Sequence, residues 1–209
     1  MIPGLDLSGD FQTVDSFHSV RDAGYRFVVV KATEGQSFKA GNFADYQHRI
    51  RSVEGLTFGA YHFLRSDVDG KAQAEHFLSV YDPAPGDLPP MIDVEEFSAG
   101  KDAATKALAD FNTVVEQTLK GRKVLLYTYY AAIEAQSFDT GSFSGHKLWM
   151  AQYSNVMASP PQTWAAPTFW QHADNLQVPG IKELCDGDQF LGSNDDFEAL
   201  KLGAGDAAL

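Results

Sequence analysis

The chain has 209 residues and a formal net charge of −12, and 44% of its residues are hydrophobic. This size and composition are typical of one globular domain with a sizeable core. The lack of a Lys/Arg cluster argues against a nucleic-acid partner, and the apolar runs are too short to span a membrane. A single cysteine, Cys185, excludes an intrachain disulfide. The first ten residues lack the basic region and long apolar stretch of a signal peptide.

Short apolar segments rich in β-branched and aromatic residues recur along the chain and are predicted as strands. They span residues 2–8, 25–33, 57–64, 90–95, 123–129, 147–153, 167–173 and 186–190. Segments with the apolar spacing of amphipathic helices lie between them, at residues 14–24, 43–55, 70–82 and 102–121. Three of these helical segments end at a glycine, which is a common helix terminus.

The alternation of strands and helices predicts a mostly parallel sheet, and eight strands in one domain favour a closed α/β barrel of the TIM type. A length of 209 residues is near the lower limit for a complete barrel of eight βα units, so some helices should be missing. Residues 138–180 show little helical pattern, so we expect the missing helices to be absent from this segment. We predict a single domain at residues 1–201, a flexible tail at 202–209, and a monomer.

Acidic side chains stand at the ends of three predicted strands. Asp93 and Glu95 are two residues apart on an apolar strand, so in a barrel they face the same way, whereas Glu96 has the opposite phase and is predicted to be a solvated rim charge. Asp6 ends the first strand and Asp186 opens the last, and these two strands become neighbours when a barrel closes. Because active sites of such barrels lie at the carboxyl-terminal strand ends, we expect the four inward acids to share one mouth.

Crowded carboxylates suit acid–base chemistry. Each raises the pKa of its neighbours, so that one acid can stay protonated near neutral pH beside an ionised partner. A proton donor and an ionised carboxylate side by side are the two catalytic groups with which glycosidases cleave a glycosidic bond. A single acid at a strand end is more often a helix cap or a loop charge, but an inward pair on an apolar strand has no obvious structural use. We therefore favour a catalytic role for the pair.

Aromatic and polar residues near the strand ends could bind a sugar substrate. Strand aromatics are usually core residues, although some of those near a strand end could stack on pyranose rings. Lys31 is expected to share its face of the second strand with Thr33 and to pair either with a site carboxylate or with an acid at the bottom of the barrel. The candidate substrate-binding residues are Tyr61, Tyr127, Trp149, Tyr153, Gln171 and Lys31.

Several segments together resemble the glycoside hydrolase family 25 muramidases, the Chalaropsis-type lysozymes found in bacteria, fungi and phages. The matching segments, in the order in which the family has them, are GLDLS (4–8), FVVVKATEG (27–35), GLTFGAYHF (55–63), LPPMIDVE (88–95), VLLYT (124–128), LWMAQY (148–153), FWQH (169–172) and CDGDQFLG (185–192). The resemblance implies a (β/α)₅(β)₃ barrel, which accounts for the missing late helices. It also implies hydrolysis of the β-1,4 bond between N-acetylmuramic acid and N-acetylglucosamine in peptidoglycan.

The resemblance assigns roles to the acids. Glu95 matches the general acid and Asp93 its partner, while Asp6 and Asp186 match two further acids of the site. We expect net retention, with Asp93 either as the nucleophile or as the stabiliser of attack by the substrate's own 2-acetamido group. We expect no metal or other cofactor, and action on the cell wall outside the cell, reached through a trimmed signal or another release route.

This sequence departs from the family's pattern at two positions beside Asp186. Cys185 stands where the family more often has an aliphatic residue, and strand parity turns it away from Asp186, so it is predicted to pack as a small hydrophobe. Asp188 stands where the family commonly has asparagine, and it is expected to add a carboxylate near the mouth.

Other functions compete with this interpretation. A metal-dependent polysaccharide hydrolase or deacetylase would use Asp6, His62, His172 and Asp93, but no H-x-H or H-E-x-x-H spacing supports it. A chitinase-like barrel also uses a D-x-E strand end, but residues 89–91 are not the aspartates that such sites usually carry. A catalytically inactive module that binds the cell wall is a further alternative, against which the intact acid set argues.

Overall fold

The computed structural model describes residues 1–203 and 205–206. The strands of this part of the chain are β1 (Ile2–Leu7), β2 (Phe27–Glu34), β3 (Phe38–Lys39), β4 (Thr57–Phe63), β5 (Met91–Asp93), β6 (Leu125–Tyr129), β7 (Lys147–Ala151), β8 (Phe169–Leu176) and β9 (Cys185–Phe190). The α-helices are α1 (Phe17–Asp22), α2 (Phe43–Arg51), α3 (Gly70–Val80), α4 (Lys101–Thr118), α5 (Tyr130–Glu134) and α6 (Asn194–Leu200).

Every strand except β3 belongs to a closed barrel. The ring runs β1–β2–β4–β5–β6–β7–β8–β9 and closes because β9 also pairs with β1. Strands β1, β2 and β4 to β8 are parallel, whereas β9 is antiparallel to both β8 and β1. The short β3 forms an antiparallel hairpin with β2 outside the ring. The predicted TIM-like barrel is confirmed.

The helices follow the (β/α)₅(β)₃ arrangement. Helices α1 to α5 follow the first five barrel strands, and β7 and β8 are followed by loops, as the sequence predicts for its second half. The sequence patterns did not predict the short α5, the two-residue β3 or α6. Because β9 runs against the other strands, α6 lies at their amino-terminal end, where Phe197 and Leu200 join the apolar cluster inside the barrel.

Alternating side chains divide the core into two layers. Outward residues such as Val28, Ile92 and Leu126 pack beneath the helices. Inward residues fill the lower barrel with an aromatic plug that consists of Phe27, Trp149, Phe169, Phe190 and Phe197. Within the plug, the rings of Trp149 and Phe169 stack with centroids 4.4 Å apart. A Cβ at Gly4 would lie 2.1 Å from the ring of Phe27, so only glycine fits there.

An irregularity in β2 changes which side chains face inward. The register with β4 shifts between Lys31, which pairs with Tyr61, and Thr33, which pairs with His62. The extra residue is a β-bulge, so Lys31 faces the lumen while the Thr33 hydroxyl lies 2.7 Å from Nδ1 of the outward His62. The expectation that Lys31 and Thr33 share a face is wrong, because simple alternation of side chains along a strand does not predict a bulge.

The chain remains packed at the end of the predicted domain. Leu202 is buried, its N–H donates to the carbonyl of Asp87 at 2.8 Å, and its carbonyl accepts from Gly86 at 2.8 Å. Ordered packing thus reaches one residue beyond the predicted limit at 201. Residues 204 and 207–209 of the predicted flexible tail lie outside the described residues. Among the helices described, none combines the length and apolarity needed to cross a bilayer.

Candidate active site

A pocket of about 230 Å³ opens at the carboxyl-terminal ends of the barrel strands. It brings together all four predicted catalytic acids and five of the six predicted substrate-binding residues. The residues that line it are Asp6, Lys31, Tyr61, Phe63, Met91, Asp93, Glu95, Tyr127, Tyr153, Gln171 and Asp186. Larger hollows flank α6 at the opposite end of the barrel, but they do not gather a comparable set of acids.

Barrel closure brings the acids of the first and last strands together. Asp6 of β1 and Asp186 of β9 are direct cross-strand partners in the antiparallel ladder. Directly paired side chains on one face of a sheet are near neighbours, although these two are far apart in sequence. Asp6 is almost completely buried, whereas Asp186 is partly exposed. The two carboxyl groups thus lie at different depths of the same wall.

The other two acids come from the end of β5. Asp93 is the last residue of β5, and Glu95 lies two residues beyond it. Val94 between them keeps the chain extended along β6, because its N–H donates to the carbonyl of Tyr127 at 2.9 Å and its carbonyl accepts from the Thr128 hydroxyl at 2.7 Å. Asp93 and Glu95 therefore face the pocket from one side, the former buried and the latter partly exposed.

A directional chain of hydrogen bonds supports Asp6. The Tyr127 hydroxyl donates to Oε1 of Gln171 at 2.8 Å, and Nε2 of Gln171 donates to Oδ2 of Asp6 at 2.7 Å. The same amide nitrogen lies 3.5 Å from Oδ2 of Asp186. By contrast, Oδ1 of the buried Asp93 has no hydrogen-bond partner within the described chain. Asp6 is thus held firmly, while Asp93 has one buried oxygen without a hydrogen-bond partner in the described chain.

Burial and mutual repulsion raise the pKa values of these acids. Burial, followed by the charges of Glu95 and Asp6, raises the pKa of Asp93 well above its ordinary value. Burial and the charge of Asp6 raise the pKa of Glu95, while the neighbouring Tyr127 hydroxyl opposes the rise. Burial and the nearby Asp6 raise the pKa of Asp186 to about 8. Protonated and ionised carboxyl groups can therefore coexist in the pocket near neutral pH.

The comparisons with known proteins agree with this geometry. The sequence profile described as Glycosyl hydrolases family 25 matches residues 5–181. The chain belongs to glycosyl hydrolase family 25. The predicted family is thereby confirmed, and this family 25 protein is a glycoside hydrolase.

Relatives of this family 25 hydrolase cover most of its length. It is 32% identical over 206 residues to the Escherichia coli (strain K12) protein YegX, covering 95% of this chain and 73% of that protein. It is 31% identical over 201 residues to the N,O-diacetylmuramidase of Arthroderma benhamiae, covering 89% of this chain and 83% of that one. The structure of a muramidase from Acremonium alcalophilum matches with a TM-score of 0.85 and 29% identity, covering 96% of this chain and 98% of that chain.

Trp149 of the family 25 hydrolase does not reach the pocket, contrary to its predicted contact with substrate. It has no exposed surface, stacks on Phe169 and donates from Nε1 to Oδ1 of Asp188 at 2.8 Å. The predicted position of Asp188 near the mouth is also wrong, because its side chain is 1% exposed and lies inside the barrel. Both residues face inward, as alternation predicts, but they lie beneath the catalytic pocket. Cys185 packs in the outer layer as predicted.

Glu96 has a structural contact that the sequence did not reveal. It accepts hydrogen bonds from the N–H and hydroxyl of Ser66, at 2.8 and 2.7 Å, and from the N–H of Ser98 at 2.6 Å. Burial acts to raise its pKa, but these hydrogen bonds together outweigh it and lower the pKa to about 2. Glu96 therefore ties the loop after β4 to the loop after β5, and it is not a freely solvated rim charge.

His62 lies on the wrong side of the barrel wall for the metal-dependent alternative. It is fully buried in the outer layer and bonded to Thr33 and Gln73. Burial lowers its pKa to about 3. The structure therefore separates His62 from Asp6 and Asp93, with which that alternative would combine it.

A second, more apolar cleft adjoins the pocket. Its volume is about 450 Å³, and it shares Glu95 and Tyr153 with the catalytic pocket. Its remaining lining residues are Tyr129, Tyr130, Ala131, Ala151 and Gln152. The sequence did not single out Tyr130 or Gln152 because each lies just beyond a strand end, where alternation gives no facing direction. The candidate catalytic acid Glu95 thus lies between the acidic pocket and the aromatic cleft.

Proposed function

We propose that this family 25 hydrolase is a peptidoglycan muramidase. It cleaves the β-1,4 bond between N-acetylmuramic acid and N-acetylglucosamine in bacterial glycan strands. The observation that carries the proposal is the convergence of Asp6, Asp93, Glu95 and Asp186 in one pocket at the barrel mouth. The names of the muramidase relatives support this choice of substrate. The enzyme acts as a monomer on the cell wall outside the cell, and its reaction needs no metal or other cofactor.

Glu95 is the proposed general acid and base. Burial and the negative charge of Asp6 raise its pKa, which favours the protonated form that a general acid needs. Because it is only partly buried, this proton can reach the oxygen of the leaving sugar. After the bond breaks, the Glu95 carboxylate takes a proton from the attacking water. Glu95 is thereby returned to its starting form.

Asp93 is the proposed partner at the anomeric carbon. Its carboxyl group lines the pocket and either attacks that carbon or orients the 2-acetamido group of the substrate as an internal nucleophile. Both routes use two displacements and give net retention. Asp6, held in place by Gln171, stabilises the positive charge that develops on the sugar, and Asp186 tunes the charge of the pocket.

The two cavities give the substrate an orientation. The leaving sugar must contact the general acid, so it occupies the aromatic cleft beyond Glu95, where Tyr129, Tyr130 and Tyr153 offer ring faces for stacking. The sugar that carries the reacting carbon occupies the acidic pocket. There it meets the polar groups of Lys31, Tyr61, Tyr127 and Gln171.

Mass spectrometry of digested, purified peptidoglycan tests the proposal. We expect fragments that end in reducing muramic acid, with activity unaffected by EDTA. Glu95→Gln should lower turnover by at least about 100-fold, because general acid catalysis contributes about 10²–10⁴-fold. Glu75→Gln, on the exposed face of α3, is the matched control and should keep full activity. Reducing glucosamine ends, loss of activity in EDTA, or binding without cleavage would each contradict a muramidase.

The stereochemistry has its own test. Early products from a defined muramyl oligosaccharide can be followed by proton NMR before the anomers interconvert. Retention predicts that the β-anomer appears first, because two successive inversions restore the configuration. An α-anomer as the first product would contradict Asp93 in either of its proposed roles.

A further inference from the structure

Asp188 is a buried acid that the proposed mechanism leaves without a role. Its side chain is 1% exposed and lies on the same face of β9 as that of Asp186. In the sheet, Asp188 pairs with Gly4 of β1 on one side and with Gln171 of β8 on the other. It therefore lies directly below the pocket wall that carries Asp6.

Two contacts determine the chemical form of this carboxyl group. The indole nitrogen of Trp149 can only donate, and it lies 2.8 Å from Oδ1 of Asp188, so Oδ1 is an acceptor. The other oxygen, Oδ2, is buried and receives no N–H or hydroxyl hydrogen bond from the described chain. The carboxyl group of Asp6 nevertheless lies close enough to interact with that of Asp188. Two carboxyl groups can bond to each other only when one of them carries a proton.

The surroundings place that proton on Asp188. Oδ2 of Asp6 accepts a hydrogen bond from Gln171 at 2.7 Å, which stabilises the ionised form of Asp6. Asp188 lies deeper, beside the aromatic plug, where an ionised group is costlier. Burial raises the pKa of Asp188 well above its ordinary value. Burial also raises the pKa of Asp6, but its interactions with Gln171, Asp188 and Asp186 oppose that rise.

We propose that Asp188 is a positioning residue for catalysis: as a neutral carboxylic acid held by Trp149, it donates a hydrogen bond to Asp6 and keeps the negative charge of the pair on Asp6. The inference rests on the proposed function, because it acts through the proposed general acid. Among the charges near Glu95, that of Asp6 contributes most to raising the pKa of Glu95. Asp188 thus helps to keep Glu95 protonated without touching the substrate.

Asparagine and leucine at this position separate hydrogen bonding from space filling. Asparagine has the shape of a neutral carboxylic acid, and its oxygen can accept from Trp149 while its nitrogen donates to Asp6. Leucine fills a similar volume without either polar contact. The groups that face Asp188 are Asp6 on β1, Trp149 on β7, Gln171 on β8 and Asp186 on its own strand, so both variants leave those groups in place.

NMR of ¹³C-labelled aspartate carboxyl groups locates the proton without any activity assay. At about pH 6 we expect Asp188 to show the shift of a neutral acid and Asp6 that of a carboxylate. The reverse assignment, or two ionised carboxylates, would overturn the proposal. Because the measurement uses no substrate, its result stands even if the enzyme proves not to be a muramidase.

Kinetics then tests the effect on Glu95. Asp188→Asn should keep kcat/KM within about threefold, whereas Asp188→Leu should lower kcat about tenfold with KM unchanged, as expected for loss of one charge-assisted hydrogen bond. In the leucine variant the alkaline limb of the pH profile should move down by about one pH unit, because the pKa of Asp6 rises, its negative charge is reduced and Glu95 ionises at lower pH. Equal losses in both variants, or a wild-type profile for leucine, would refute the role. Near-UV circular dichroism verifies that each variant is folded, and if leucine prevents folding, the asparagine variant and the NMR shifts decide.

Discussion

Lys31 carries the charge that opposes the acids of the pocket. Of the described residues that line the pocket, it alone is a cation. Its Nζ lies 2.7 Å from Oε2 of Glu34 and 4.8 Å from the centroid of the Phe63 ring, so its position is well defined. Its charge lowers the pKa values of Asp93 and Glu95, although the opposing effect of burial is larger for both. Lys31 therefore limits how far these acids are driven towards their neutral forms.

Replacing Lys31 with methionine should move the whole pH–rate profile to higher pH. Loss of the cation raises the pKa of Asp93, which must be ionised to act, so the acidic limb moves up. It also raises the pKa of Glu95, which must be protonated, so the alkaline limb moves up as well. We expect a shift of about one pH unit in kcat/KM on soluble peptidoglycan. Lys31→Arg keeps the charge and should leave both limbs in place; coincident profiles for the two variants would contradict this role.

At the scale of the elements, a buried polar network joins β2, β4 and α3 outside the barrel. Nε2 of His62 lies 3.1 Å from the Oε1 acceptor of Gln73, so Nε2 carries the ring proton and Nδ1 accepts from Thr33. Gln73 also accepts from the N–H of Arg65, and it donates to the carbonyls of Arg65 and Val68. Since Gln73 has no exposed surface, water cannot replace these bonds.

Gln73→Leu should destabilise the fold by about 3 kcal/mol, because buried groups left without a partner cost about 1–3 kcal/mol each. His62 and the backbone of the loop after β4 would lose their partner. Urea unfolding followed by circular dichroism measures the change. Gln117→Leu, on the exposed side of α4, is the control and should stay within about 0.5 kcal/mol of the wild type. Equal midpoints for the two variants would show that the network adds no stability.

The elements that the sequence predicts are those whose signals are local. Each barrel strand is a short run of β-branched or aromatic residues with turn residues at its ends, so all eight are predicted. The bulge after Lys31 and the short β3 depend on contacts between segments, which no local pattern contains. Helix α6 is different, because Ser193 and Asp196 form a capping box that the sequence does show. That signal would have been sufficient to predict this helix.

Strand tilt explains why the acids could be placed from sequence while Trp149 could not. Hydrogen-bond register joins Asp93, Tyr127, Trp149 and Phe169 in one row across the sheet. Because barrel strands are inclined by about 35–45° to the barrel axis, such a row descends from the mouth into the interior. Alternation predicts that a side chain faces inward, but depth depends on the stagger between strands. The same stagger puts Gln171 at the pocket and Asp188, its partner in the register, beneath it.

At the scale of the whole molecule, folding changes how many protons the chain binds. In the folded state burial raises the pKa of Asp186 to about 8, and the pKa values of Asp93 and Asp188 rise well above 3.8. Asp186 therefore holds a proton near neutral pH that the unfolded chain has already released. The folded enzyme is therefore less negative at neutral pH than its formal charge of −12 suggests. His62 has the opposite effect, because the unfolded chain binds a proton at pH values below 6.5 that the folded protein does not bind above about 3.

Stability should therefore fall as the pH rises from about 6.5 to 8.5. An acid with a raised folded pKa stabilises the fold below its unfolded pKa, and this contribution is lost as the pH rises through the folded value, which is about 8 for Asp186. His62 adds no slope above its unfolded pKa of 6.5. One proton of difference corresponds to at most about 1.4 kcal/mol per pH unit, and less here because Asp186 is partly solvated.

Thermal unfolding across this pH range measures the slope, and Asp186→Asn should flatten it by removing one of the titrating carboxyl groups. Asp82→Asn, which changes an exposed acid, is the control and should keep the wild-type slope. A Tm that rises towards pH 8.5 in the wild type would show that the pocket acids are ionised in the folded protein. That outcome would also remove the physical basis for a protonated Glu95, because the same burial and the same crowding raise the pKa values of Glu95 and Asp186.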